Sequence, residues 1–544
     1  MLMSQLTTVH DRYDEDEIRA FYAAGFWRRE NLFDLVEAQA RTHGEKVFGT
    51  DATTSLTYTD LRVRGERLAS GLAGIGVAKG DRVAVQLPNW TEFLLIAVAL
   101  GRLGAVLVPI MPIYRADEVG YVVRHSGAKV AITCEEFKGF RYLDMFAALR
   151  ESCPDLAELV AVRAADAGAA TRFEDLLTAP VGELGDGPSP DDPFLIVYTS
   201  GTTSRPKGCF HTFNTVRASA AAIARSLDYG EDDVQFGPSP VTHSTGLVTS
   251  LVLPLLAGAS SHLMEVWEPN EGLQRIAKHG CTAAVTATPF LQMLMGAYDP
   301  DRHDAGSLRV WVCAGSPIAG SIVRRAGEQF PGCKVLSLYG RSENFLTTMC
   351  TLEDPPERSA TSDGSAIAGS AVQVVDERGQ EVPRGTEGDI AYHGPSHMLG
   401  YYNDLEQTQA LFTPHGFSRS GDLGVMDPDG YVRVTGRLKD IIIRGGLNIS
   451  ARELEDLLAE HPAVGNVAVV GMPDERLGER VCAYVVPAEG GRPVLEDLTG
   501  YLRGRNVATP KLPERLELVD ELPMTATGKV RKHVLRDDIG RKLG

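Results

Sequence analysis

The sequence predicts an α/β protein. A large N-terminal domain, residues 1–438, holds two βαβ-type subdomains and a small β-barrel-like subdomain, and a small α+β domain, residues 439–544, follows it. Three observations predict this. Short apolar runs alternate with helical stretches over 82–134 and again over 212–339, the order of a parallel sheet covered on both faces. From Gly364 the pattern changes to alternating strands separated by turns. Beyond Gly436-Arg437-Leu438-Lys439-Asp440, mixed strands and helices fill roughly 100 residues, a normal domain size. At 544 residues the chain is too long for one core and corresponds to about three or four domain-sized units.

Leu32, Leu35, Val36 and Ala40 recur at helical spacing, as do Leu61, Leu68, Leu72 and Ile75, with Thr59 or Asp60 placed to cap the second helix. Arg82–Leu87, Ala105–Ile110 and Lys129–Cys134 read as strands, with helices Trp90–Leu103 and Ala116–Ser126 between them. Residues 163–192, rich in Ala, Gly, Pro and Asp, read as a surface connection, and the run Asp192–Val197 as a buried strand. Helices at Thr212–Leu227, Gly246–Ala257 and Gly272–His279 then alternate with strands at Val234–Ser239, Ser260–Met264, Ala283–Ala287, Arg309–Ala314 and Lys334–Tyr339. Val372–Asp376 and Gly388–Tyr392 alternate as antiparallel strands. The last unit holds strands Ile441–Ile443, Val464–Gly471 and Val481–Val486, helices Ala451–Glu460 and Val494–Arg505, and a basic tail.

Hydrophobic content of 43% and charged content of 23% are those of an ordinary globular chain. A formal net charge of −18 argues against a nucleic-acid surface or an anionic membrane as partner. The eight cysteines form no Cys-x-x-Cys pair and read as reduced and buried, Cys209 as a packed residue rather than a nucleophile. The first residues lack a basic segment followed by an apolar core. The apolar stretch Phe93 to Tyr114 is interrupted by Arg102, two glycines and two prolines, and reads as a buried helix and strand. A cytoplasmic protein, monomeric or homodimeric, is expected.

The stretch Tyr198-Thr199-Ser200-Gly201-Thr202-Thr203-Ser204-Arg205-Pro206-Lys207-Gly208 follows a predicted strand. Free N–H groups, hydroxyls and a lysine on a flexible backbone suit a polyphosphate. Lys207 precedes Gly208, so this is not a Walker A loop. Tyr339-Gly340-Arg341-Ser342-Glu343 ends another strand, where open α/β sheets bind ligands; Tyr339 offers a face to a base and Glu343 a hard oxygen to Mg²⁺. Asp422, between Gly421 and Gly424, suits a ribose diol. Gly445-Gly446 permits close approach of a thin ligand. Lys529, in Thr527-Gly528-Lys529, is a loop-borne point charge for a phosphate.

These stretches, in this order, resemble the signature motifs of the adenylate-forming superfamily: acyl- and aryl-CoA synthetases, adenylation domains and luciferases. The resemblance covers nearly the whole chain and is closest in look to acid–CoA ligases. It implies formation of an acyl-adenylate from a carboxylate and Mg-ATP with release of pyrophosphate, then transfer to a thiol, commonly that of coenzyme A. By resemblance, Thr199, Ser200, Gly201, Thr202, Thr203 and Lys207 hold the β- and γ-phosphates, and Tyr339, with Gly340, and Gly315-Ser316-Pro317 sandwich the adenine. Ser342, where Thr is usual, bonds the α-phosphate; Glu343 binds Mg²⁺, and Asp422 and Arg437 contact the ribose. Lys529 matches the catalytic lysine of the first half-reaction. Lys439 matches the hinge about which a mobile C-terminal domain rotates, exchanging Lys529 for the Gly445-Gly446 loop.

His243 takes the position of a residue beside the substrate carboxylate, and Gly340, Arg341 and Phe345 border the acyl pocket by the same resemblance. Arg341 stands where an uncharged residue is common. It either meets a polar group of the substrate or turns to solvent or to Glu343. Ala451 replaces a common proline. The walls Thr286–Phe290 and Phe345–Thr348 are mixed in size, and a small or medium aromatic or alicyclic acid is favoured. Two other readings stand beside an acid–CoA ligase. One is an adenylating enzyme with a carrier-protein thiol or an amine as acceptor, including nitrite activation for diazotisation of an aryl amine. The other is an inactive binding protein, against which Lys529 and Glu343 argue.

Overall fold

Buried parallel strands, each a short run of apolar residues, form the frame that carries the site. The computed structural model describes residues 8–178, 180–199, 205–315, 318–525 and 529–543. In the first sheet Pro193–Tyr198, Val106–Pro109, Arg82–Gln86, Val130–Cys134, Glu158–Val162 and Thr171–Arg172 run parallel, in that spatial order. Gly208–Thr212 and Gly400–Tyr401 add antiparallel strands beyond Pro193–Tyr198. In the second sheet Val47–Thr50, Ser260–Leu263, Val234–Gly237, Ala283–Thr286, Val310–Ala314 and Lys334–Tyr339 run parallel. The buried helix Thr91–Leu103 belongs to the core that both sheets share. The change of texture after Gly364 corresponds to an antiparallel sheet in the order Ala371–Val375, Glu387–His393, Ser418–Met426, Val432–Arg437.

The C-terminal unit has a core of its own. In the long strand Val464–Asp474, Val467 and Val469 face one cluster with Leu454 and Leu498, while Ala468 and Val470 face another with Leu535 and Ile539. That is the two-residue alternation of a sheet covered on both sides. Two reciprocal ion pairs seat this unit on the larger one: Arg433 to Asp456 at 3.3 Å and Arg452 to Asp363 at 3.8 Å. The Ser450 hydroxyl also donates to the Thr435 carbonyl.

Several sequence expectations change. Thr57, not Thr59 or Asp60, caps Tyr58–Gly74, and Asp60 instead closes a reciprocal capping box with it. Residues 163–192 are not wholly superficial, because the helix Phe173–Leu177 buries Phe173 and Leu176 in the core. The predicted helix at Gly246–Ala257 starts at Ser244 and holds a π-helical turn, Val248–Val252. The basic tail is a helix, Lys532–Leu543, anchored by Leu535 and Ile539. All eight cysteines are buried and free, and burial pushes the Cys209 thiol well up, as suits a packed residue. No helix among the described residues is long and apolar enough to cross a membrane.

Candidate active site

The hydroxyl-rich loop joins two antiparallel strands, Pro193–Tyr198 and Gly208–Thr212, the second of which the sequence reading missed. Its base is closed by Thr199 N–H donating to the Lys207 carbonyl (2.9 Å) and Lys207 N–H donating to the Thr199 hydroxyl (3.1 Å). Lys207 Nζ donates to Gln407 Oε1 at 2.7 Å and lies 4.6 Å from the centre of the Tyr401 ring. Ser200, Gly201, Thr202 and Thr203 lie outside the described residues, as do Ser316, Pro317, Thr527 and Gly528.

The turn after Lys334–Tyr339 is folded tightly. A Cβ on Gly340 would stand 2.0 Å from the Phe345 carbonyl oxygen, so no other residue fits there. Phe345 itself has φ +56°, a strained value for an aromatic residue. His211 holds the turn in place. Its Nε2 lies 2.8 Å from the Ser342 carbonyl and its ring 4.3 Å from that of Phe345. Burial lowers its pKa to about 4, so it is neutral and donates from Nε2.

Two buried carboxylates anchor the site. Antiparallel register sets Asp422 opposite Arg437, and Arg437 Nε meets Asp422 Oδ1 at 2.7 Å. The Tyr339 hydroxyl donates to Asp422 Oδ2 at 2.7 Å. Burial opposes ionisation of Asp422, but Arg437 and Arg341 outweigh it and hold the carboxyl below its usual range. Glu343, 3% exposed, accepts on Oε1 from Arg341 Nη2 (2.9 Å) and from the Tyr401 hydroxyl (2.7 Å). Burial would raise its pKa, yet Arg341 and Tyr401 hold it low. Of the two directions open to Arg341, the side chain takes the one toward Glu343, with Nε 4.0 Å from Asp422.

Lys529 comes to this site from the C-terminal unit. Its loop is pinned by Lys529 N–H to the Thr525 hydroxyl (3.0 Å) and Thr525 N–H to the Lys529 carbonyl (2.7 Å). Its Cε lies 3.7 Å from where a Cβ on Gly315 would be, and Gly315 has φ +70°. Burial, then Arg437, lower the Lys529 pKa to about 8 against the pull of Asp422. Lys529, Gly315, Tyr339, Gly340, Asp422 and Arg437 line one cavity of about 320 Å³. Gly445 and Gly446 do not line it. They form the exposed two-residue turn between Ile442–Arg444 and Leu447–Ile449, both at positive φ (+57° and +85°), as a tight hairpin requires. Lys439 lies in the short 3₁₀ turn Leu438–Asp440, between the antiparallel sheet and the C-terminal unit.

His243 caps the helix that starts at Ser244, its Nδ1 accepting from Thr245 N–H at 3.3 Å. Burial and the nearby Lys529 charge lower its pKa to about 3. It is therefore neutral, with its proton on Nε2. The His243 loop hangs on a residue the sequence reading missed. Asn89 Nδ2 donates to the carbonyls of Ser239 (3.0 Å) and Met264 (3.0 Å), and its Oδ1 accepts from Val241 N–H (2.9 Å). His211 and Tyr401 were missed too. The pair Tyr401-Tyr402 after Gly400 was the available signal for Tyr401.

Residues 36–402 match the profile of the AMP-binding enzyme family, and residues 453–529 that of the AMP-binding enzyme C-terminal domain. The chain belongs to this family of adenylate-forming enzymes and is built like an AMP-forming acid ligase. It is 35% identical to a medium-chain fatty-acid–CoA ligase of Escherichia coli, over 98% of this chain and 94% of that one. It is 33% identical to the 2,3-dihydroxybenzoate-AMP ligase of Bacillus subtilis, over 97% of each. The crystal structure of ATP-bound MatB from Rhodopseudomonas palustris superposes with a TM-score of 0.84 at 27% identity, covering 95% of this chain and all of MatB (100%).

Replacing Asn89 with Leu removes its buried hydrogen bonds to the Ser239 and Met264 carbonyls and from Val241 N–H, which costs about 2 kcal/mol or more. Asn89→Leu is expected to lower the denaturation midpoint and raise KM for the acid more than KM for ATP. An equal rise in both KM values would show that the loop Asn89 holds does not act on the acid in particular.

Proposed function

We propose that this protein activates a small or medium carboxylic acid, aromatic or alicyclic, as its acyl-adenylate and passes the acyl group to coenzyme A. The observation that carries this reading is Lys529. It reaches from the C-terminal unit into a cavity lined by Asp422, Arg437 and Tyr339, close enough to His243 to depress its pKa.

In the first step a carboxylate oxygen attacks the α-phosphorus of ATP, and the bond to the bridging oxygen breaks to release pyrophosphate. Two anions must meet. Lys529 neutralises charge between the carboxylate and the α-phosphate, in a site where partial exclusion of water strengthens the effect. Asp422 holds the ribose diol, Tyr339 and the Gly315 turn flank the adenine, and Thr199, Lys207 and the loop between them take the departing pyrophosphate. Neutral His243 presents Nε2–H to the acid, and Ser342 bonds the α-phosphate.

Glu343 fits a Mg²⁺ role. It is a buried, ionised oxygen donor whose hydrogen bonds from Arg341 and Tyr401 converge on Oε1. No cluster of three or more His, Cys, Asp or Glu suited to a metal occurs among the described residues, and Mg²⁺ needs only one or two carboxylates plus phosphate oxygens. When bound, it would neutralise phosphate charge. For the second half-reaction the small domain turns at Lys439, and the exposed Gly445-Gly446 turn replaces Lys529.

A carrier-protein thiol is the competing acceptor, favoured by 31% identity to a salicyl-AMP ligase / salicyl-S-ArCP synthetase of Mycobacterium tuberculosis. Pyrophosphate release is to be measured on a panel of acids, and on nitrite plus an aryl amine, with and without coenzyme A. Stimulation of aryl or alicyclic acids by coenzyme A is the expected result. Turnover only with nitrite plus amine, or with no panel member, would overturn the proposal.

Lys529 is charged below its pKa of about 8 and neutral above it. For adenylation, kcat/KM reports free-enzyme groups. It is expected to be level toward neutral pH and to fall by about tenfold per unit well above that pKa. Lys529→Arg should move this fall to higher pH. Lys529→Ala should abolish adenylation while sparing thioester formation from preformed acyl-adenylate. Near wild-type pyrophosphate exchange in Lys529→Ala would refute the assignment.

A further inference from the structure

We infer that Arg341 is a resident counter-cation of the nucleotide site, competing with the divalent metal for Glu343 and adding its own charge to the hold on the polyphosphate. The inference rests on the reading of Glu343 as the metal's carboxylate.

The geometry carries it. Arg341 does not trail into solvent. Its Nη2 donates to Glu343 Oε1 at 2.9 Å, and its Nε stands 4.0 Å from Asp422 Oδ2. Its backbone is equally constrained, the Arg341 carbonyl accepting from Asn344 N–H (3.2 Å) and Phe345 N–H (2.6 Å). The guanidinium thus lies between the two buried carboxylates of the site.

Two consequences follow, with opposite signs. Glu343 Oε1 already takes donors from Arg341 and Tyr401, so a divalent ion at Glu343 must share the carboxylate with a fixed positive charge. Metal affinity falls. Meanwhile Arg341, Arg437 and Lys529 face Glu343 and Asp422, three cations against two anions. Without Arg341 the same set would be neutral. A polyphosphate therefore meets a net positive site before any metal arrives, and affinity for metal-free nucleotide rises. Arg341 acts on the metal through Glu343 and is in that sense a positioning residue.

The test is calorimetric binding of α,β-methylene-ATP, first in EDTA and then with Mn²⁺ titrated into the nucleotide complex. The proteins are wild type, Arg341→Met, Arg341→Lys and Glu343→Gln, each checked for its thermal midpoint. Arg341→Met is expected to bind the metal-free analogue at least tenfold more weakly and Mn²⁺ at least threefold more tightly. Arg341→Lys, which keeps the charge, should fall between it and wild type and serves if Arg341→Met does not fold. A merely structural role would weaken both affinities together, and that result overturns the inference. It is also overturned if Arg341→Met alters neither affinity while Glu343→Gln weakens Mn²⁺ binding, in which case the metal reading survives. Unchanged Mn²⁺ affinity in Glu343→Gln would remove the metal reading and the inference with it.

Discussion

Two carboxylates lie buried side by side, and the site is built around the need to balance them. Buried charges are tolerated only when paired and hydrogen-bonded. Asp422 meets this with Arg437, across an antiparallel rung, and with the Tyr339 hydroxyl. Glu343 meets it with Arg341 and the Tyr401 hydroxyl. Those donors come from four places: the end of the strand Lys334–Tyr339, the turn after it, the strand Val432–Arg437 and the strand Gly400–Tyr401. Charge pairing thereby ties the second parallel sheet, the antiparallel sheet and an edge of the first sheet to one point. Lys529 adds a further cation from the C-terminal unit, so the set of charges turns net positive only when that unit is seated.

The neutral residues follow the same logic. His211 and His243 are kept uncharged by burial, so neither adds to the positive field. His211 holds the strained Phe345 turn from beneath, and Asn89 holds the His243 loop through the backbone carbonyls it bridges. Strain such as that at Phe345 persists only where the surroundings over-determine it.

Much of this was legible because periodicity is a local signal. The parallel strands show as apolar runs, and the helix Ala116–Ser126 and the strand Lys334–Tyr339 have the predicted limits. The strand Gly208–Thr212 did not show, because its five residues lie between a loop and a helix start with no period of their own. Asn89 is one polar residue after a proline, and only the folded chain reveals the carbonyls around it. The direction of Arg341 was undetermined for a similar reason. Residues two apart share a face on an extended strand, but Arg341 and Glu343 sit in a turn whose path depends on Gly340 and His211.

The reciprocal pairs Arg433–Asp456 and Arg452–Asp363 differ in character from the apolar hairpin around Gly445-Gly446. Arg433 and Asp456 are only partly covered, so dissolved ions weaken their attraction, with a screening length of about 10 Å at 0.1 M. The hairpin instead leaves Ile443 and Leu447 in water, 54% and 41% exposed. Salting-out ions favour covering such surface. Added salt therefore weakens the partly open half of the seat, Arg433–Asp456, far more than its buried half, Arg452–Asp363, and at the same time disfavours the bare hairpin.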